Sequence, residues 1–198
     1  MQGWTLAAQG QAEQGLQQMR NSLAAHRVTG TELSRPYYLA LLAEACGKVG
    51  QPEEGLTVLA EALALVDKTG ERMYEAELYR LRGELTLAPS KASLGQVSGK
   101  SRTSQEKSEN PNTQHPTPST QGEAEAGFLK AIEIARHQQA KSLELRATMS
   151  LSRLWQQQGR RTEAHHLLLE IYSWFTEGFE TKDLQEAKAL LEELAEAL

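Results

Sequence analysis

Seven consecutive residues, Gly95-Gln96-Val97-Ser98-Gly99-Lys100-Ser101, bring together the residue types that cradle a nucleotide's phosphates. Glycines allow close backbone approach, a lysine supplies charge and a serine can hold magnesium. The spacing defeats that chemistry. Three residues separate the two glycines where the phosphate loop needs four, and no strand-like run precedes them. The adjacent pair His165-His166 suggests a metal site, but neighbours on a helix diverge by roughly 100° and do not converge on one ion. His26 and His137 stand alone near expected helix ends, where a cationic ring suits the dipole. Cys46 is the single cysteine, which excludes an intrachain disulfide and a cysteine-rich zinc site. A free cysteine among apolar neighbours reads as core filler. No Ser-His-Asp or Cys-His arrangement can be argued from spacing. The residues therefore predict a non-enzyme with no cofactor, no metal and no catalytic residue.

The elements that would position any site are helices. Hydrophobic residues make up 39% of the 198 positions and aromatics only 6%. Ala, Leu, Glu and Gln dominate, while the β-branched residues that strands favour are scarce. A net charge of -5 argues against a nucleic-acid partner, which calls for a basic face. The first twenty residues are polar, and no apolar run approaches the roughly 20 residues that span a bilayer. The expectation is a cytoplasmic helical protein with neither nucleic acid nor membrane as partner.

Residues 89–121 differ in kind. They hold four of the six prolines, eleven Ser or Thr and no aromatic residue. Such a composition cannot bury enough surface to offset the entropy of ordering, so it predicts a disordered insertion.

An internal repeat organises the rest. A shift of 40 carries Gly10-Gln11 to Gly50-Gln51, Gly15 to Gly55, Met19 to Leu59 and Thr29-Gly30 to Thr69-Gly70. Beyond the insertion the same shift carries Ala124 to Ala164 and Phe128 to Leu168. Ala124 lies 69 past Gly55, so the insertion sits inside the third copy, between its two helices. Each copy reads as a helical hairpin. In the second, Leu39, Leu42, Ala45 and Cys46 follow helical spacing, Gly50 supplies a left-handed turn position, and Pro52 opens the next helix. Small residues (Ala43, Gly83 and Ser152 in first helices; Gly55, Ala124 and Ala164 in second ones) recur where two helices would cross closely. Asp183 with Glu186 reads as a capping box opening a terminal helix, whose apolar line is Leu184, Ala187, Leu191, Leu194 and Leu198.

This pattern resembles the tetratricopeptide repeat (TPR). One copy carries Leu42-Ala43, Cys46, Gly50, Gly55, Leu59 and Ala62 at that family's offsets; another carries Leu151-Ser152, Trp155, Gly159, Ala164, Leu168 and Ile171. The period of 40 exceeds the family's usual 34 or so, Ile171 replaces a small residue, and the third copy lacks its turn glycine. The long period and the run Gly50-Gln51-Pro52-Glu53-Glu54-Gly55-Leu56 also resemble the repeat tails of large bacterial signalling ATPases, cyclases and regulators. The resemblance implies an all-α, right-handed helical-hairpin solenoid of about four helix pairs plus a cap. Its expected parts are 1–88 (two repeats and the first helix of the third), 89–121 (insertion), 122–180 (second helix of the third and the fourth repeat) and 181–198 (cap). Counting back 40 from Pro36 places the start of the first copy before Met1, so the chain is expected to be a fragment or regulatory tail of a larger protein, the alternative being a free-standing adaptor.

In the resembled family, first helices line a concave groove that holds a protein or peptide. Projecting those offsets here gives Tyr37, Glu44, Lys48, Arg80, Glu84, Arg146, Met149, Arg153 and Gln157. Arg80, Arg146 and Arg153 would form a basic strip suited to a carboxylate-bearing partner, or to other domains of a larger polypeptide. Lys and Asn positions that clamp a C-terminal carboxylate in one branch of the family are Ala40 and Glu44 here, which disfavours that mode. Trp174, Phe175 and Phe179 read as packing for the terminal helix.

Overall fold

A computed structural model describes residues 12–28, 34–89 and 117–196. Gly3, Gly10, the phosphate-loop-like run, Leu198 and most of the 89–121 insertion lie outside the described residues.

Eight α-helices follow one another among the described residues. In chain order they are α1 (Ala12–Val28), α2 (Arg35–Lys48), α3 (Pro52–Thr69), α4 (Glu75–Leu87), α5 (Pro118–His137), α6 (Lys141–Gln157), α7 (Arg161–Tyr172) and α8 (Lys182–Ala195). The turns explain the antiparallel pairing. Between α2 and α3 the chain reverses at Gly50 (φ 75°), and between α6 and α7 at Gly159 (φ 80°). Both sit in the left-handed region that favours glycine. Pro52 opens α3 with Glu53 and Glu54 in the first turn, and Gly70 ends it, its N–H donating to the Val66 carbonyl.

Two local expectations need correction. Pro118 to Gln121 are helical: Thr117 caps α5, its hydroxyl accepting from Thr120 N–H at 3.2 Å, with Pro118 in the first turn. The last residues of the 89–121 segment thus belong to α5. Thr181, not Asp183, precedes α8, and Asp183 lies inside its first turn.

Successive helices pack as pairs, and alternate ones form two layers. First helices touch laterally in the order α2–α4–α6–α8, whereas second helices meet only first helices. This is the arrangement of a helical-hairpin solenoid. The small residues lie at the crossings. A Cβ on Gly55 would stand 2.6 Å from Leu85 Cδ1 and 3.1 Å from the Ala43 carbonyl oxygen. The Phe128 ring fills the hollow that Gly83 leaves on α4. Buried apolar side chains form three clusters: Leu16 with Leu42 and Cys46; Leu39, Leu59, Val66, Leu78 and Leu81; and a larger one spanning α5 to α8 around Phe128, Leu151, Leu168 and Leu194. The division between the second and third falls where α4 meets α5 and α6. On α8, Leu184, Ala187, Leu190, Leu191 and Leu194 face inward while Glu192, Glu193 and Glu196 are exposed. No described helix is long and apolar enough to cross a membrane.

Candidate partner groove

The layer of first helices displays α2, α4, α6 and α8 side by side, and the projected residues lie on three of them. On α2, the Tyr37 ring is 4.6 Å from Tyr74 and 5.4 Å from Tyr38, a half-buried aromatic trio at the start of the helix. One turn from its end, Glu44 pairs with Lys48 at 2.8 Å.

On α4, Arg80 is 6% exposed and does not form part of an open basic strip. Its guanidinium donates to both oxygens of Glu77, at 2.8 and 2.7 Å, and to Glu84 at 2.5 Å. Burial works against its charge, yet the hydrogen bonds and field of Glu77, with Glu84 and Glu44 adding, hold its pKa above the ordinary arginine value. On α6, Met149 is 3% exposed and belongs to the apolar interior, so it too is withdrawn from the groove surface.

The other two arginines also have partners, and these come from neighbouring helices. Arg146 reaches Glu77 Oε1 across the α4–α6 seam at 3.0 Å and approaches Asp183 of α8 at 4.0 Å. Arg153 contacts Glu186 of α8 at 3.4 Å and stays 44% exposed. Ser150 donates to Glu84 at 2.9 Å, and Gln156 to Glu193 of α8 at 2.9 Å. The strip is therefore a lateral ladder in which acid-bearing α4 and α8 flank base-bearing α6. The missed partners left a trace in the repeat. Glu77 and Arg146 occupy the same position in successive copies, 69 residues apart, and so do Glu84 and Arg153. Opposite signs at these two pairs of positions let α4 and α6 pair where they lie side by side.

Beside Arg153 a cleft of about 200 Å³ opens between the C-terminal halves of α4 and α6. Leu87, Phe128 and Leu154 give it apolar walls, and Glu84, Arg153 and Gln157 a polar mouth. A second cleft of about 520 Å³ lies between α1, α2 and α3, bordered by the ion pairs Arg20–Glu54 (2.6 Å) and Arg35–Glu61 (2.7 Å).

The remaining chemical candidates are dispersed. Cys46 is buried, and desolvation, with Glu54 adding, pushes its thiol from the usual value near 9 up to about 11. His165 and His166 sit on α7, and His137 ends α5. Among the described residues no three His, Cys, Asp or Glu side chains gather as a metal site would require. Phe175 packs against the α5–α8 interior, as expected, but Trp174 remains 58% exposed with Lys141 over its ring at 5.8 Å.

No protein-family model matches the sequence, and no curated protein matches it. Solved structures do. The TPR-like, nearly identical repeats of a Podosopora anserina protein assigned as a kinesin light chain superpose with a TM-score of 0.61 at 18% identity, over 98% of this chain and 82% of that one. A single-substitution variant of the same protein gives 0.62 at 18% identity over the same shares. The likeness establishes a TPR-like fold.

Proposed function

We propose that the chain is a non-catalytic scaffold that holds a protein or peptide on the face formed by its first helices. The observation that carries this reading is the unbroken lateral series α2–α4–α6–α8, a face four helices wide with a cleft beside an exposed guanidinium. Arg153, Gln157 and Glu84, with Glu44, Lys48 and Tyr37 further along, are the residues that meet the partner. Arg80 and Arg146 shape the face from within it. Arg153, whose contact with Glu186 is long and which stays exposed, is the cation best placed to receive a carboxylate.

A photo-crosslinking residue at Gln157 or Lys48 tests this in cells. Both positions should yield one adduct that an exposed position on a second helix, Leu129, does not, and Arg153→Glu should abolish it. Equal adducts from all three positions, or indifference to Arg153→Glu, would refute the groove.

The same proposal places the chain in the cytoplasm as the regulatory repeat tail of a larger bacterial signalling ATPase or cyclase, in contact with that polypeptide's other domains. The forty-residue period and the Gly50-to-Leu56 run support it. The test is the coding DNA upstream of Met1, which should continue in phase into an ATPase or cyclase domain. An in-frame stop codon directly upstream would sink this origin and leave the scaffold reading standing.

A further inference from the structure

Among the described residues, every buried polar or charged side chain lies on α4 or α6: Glu75, Glu77 and Arg80 on the one, Glu144, Thr148, Ser150 and Ser152 on the other. Each of these two helices packs against four others, which buries side chains on most of its sides. What distinguishes this place is the chain path. Three residues join α2 to α3 and α6 to α7, so each hairpin's axial alignment is set by a turn. The helices α4 and α5 are instead joined by about thirty residues, from Leu87 to Pro118. Five residues tie α4 to α3, but no short link ties it to α5, so α4 with the α2–α3 hairpin could slide past α5 and α6 by one helical turn, about 5.4 Å. The buried leucines Leu78, Leu81 and Leu85 pack in the cluster with α2 and α3, Leu85 against Gly47 and Gly55, so they do not set α4 against α6.

Charges do not slide so freely. Glu77 is shared between Arg80 of its own helix and Arg146 of α6, and Glu84 between Arg80 and Ser150 of α6. A one-turn shift would separate both cross-helix contacts and leave the buried Glu77 with Arg80 alone. A buried ion cluster is a poor source of net stability, and its best-attested use is to fix register. We propose that Glu77, Arg80 and Glu84, closed by Arg146 and Ser150, form a register lock that sets α4 against α6 in place of a short hairpin turn. The lock thereby fixes the spacing of the cleft residues Glu84 and Arg153. The hollow at Gly83 that receives Phe128 aligns α4 with α5 instead, and it is the rival explanation.

The experiment uses the full chain carrying Cys46→Ala, with spin labels at Arg82→Cys on α4 and Gln157→Cys on α6, both exposed positions. Pulsed dipolar spectroscopy should give one narrow distance. In E77L/R80M/E84L, which replaces the charges with apolar groups, the thermal midpoint should hold or rise while the distance broadens or splits by about 5 Å, one helical turn. Replacing residues 90–116 with a three-residue glycine turn should restore the single distance. If the triple variant does not fold, Arg146→Met with Ser150→Ala opens the same lock from α6, and the same broadening is expected. A distance that stays narrow in the variants would assign the alignment to the Gly83 hollow and overturn the lock. Broadening that the short turn fails to cure would overturn it as well.

Discussion

Replacing Gly83 with alanine sets two effects against each other at a single atom. Alanine gains about 1 kcal/mol over glycine in a helix interior. The added Cβ, however, would stand 2.5 Å from Phe128 Cε1, 2.8 Å from Cδ1 and 2.9 Å from Cζ. Phe128 is 1% exposed, and α4 and α5 cross so closely that a Cβ on the neighbouring Gly127 would lie 3.3 Å from the Tyr79 carbonyl oxygen. Overpacking of this kind costs roughly 1–3 kcal/mol, so Gly83→Ala should lower stability by about 1 kcal/mol net. In a Phe128→Ala background, itself some 3–5 kcal/mol less stable, the hollow is empty and only the helix gain remains. There the same substitution should raise stability by about 1 kcal/mol. Urea unfolding followed by circular dichroism reads both values from the midpoints, provided the slope is unchanged. The expected coupling is about 2 kcal/mol with a reversal of sign. If Gly83→Ala stabilises both backgrounds alike, the close crossing of α4 and α5 is not what the glycine is for.

Other consequences follow from the turns and from two buried side chains. Gly159→Ala forces alanine into φ 80°, and should cost about 1–2 kcal/mol in the same urea assay, whereas Gly122→Ala, on a helix with nothing near its added Cβ, should gain up to about 1 kcal/mol. Trp155 donates to Glu125 at 2.8 Å, and the Arg160 guanidinium stacks 4.2 Å from its ring and binds the same Glu125 oxygen at 2.9 Å. Trp155→Phe should therefore cost about 2 kcal/mol, and an unchanged urea midpoint would deny the triad any part in joining α5 to the α6–α7 turn. The raised Cys46 thiol keeps its proton in the folded chain at pH values where the unfolded chain has lost it. The unfolded state then binds fewer protons, so wild-type stability should fall relative to Cys46→Ala as pH rises from about 9 to 11. Parallel pH curves for the two proteins would contradict this.

Much of the architecture was legible because the repeat writes it in residue types with few alternatives. Gly50 and Gly159 have positive φ, Pro52 opens a helix, and Ala43, Gly83 and Ser152 fall at crossings, all as the forty-residue shift implies. The start of α5 was misjudged because the composition of the whole 89–121 segment outweighed a local signal, Thr117 capping behind Pro118. The groove was read only in outline. Projection onto a helix says which residues share a face, but not which side chains across the seam neutralise them. For Arg80 the answer was in reach, since Glu77 and Glu84 stand at i-3 and i+4 on its own helix. For Arg146 and Arg153 it depended on the lateral order of α4, α6 and α8, which the repeat offset encodes as opposite charges at one position.

That alternation of sign makes the units non-interchangeable. Two copies of α6 laid side by side would set Arg146 against Arg146 and Arg153 against Arg153, and two of α4 would crowd acid on acid. Lengthening this array by duplicating either hairpin would thus build repulsion into the new joint. From α4 to α8 the order acid, base, acid works as an address; the seam of α2 and α4, where Glu44 and Glu84 hold equivalent positions, carries no such mark.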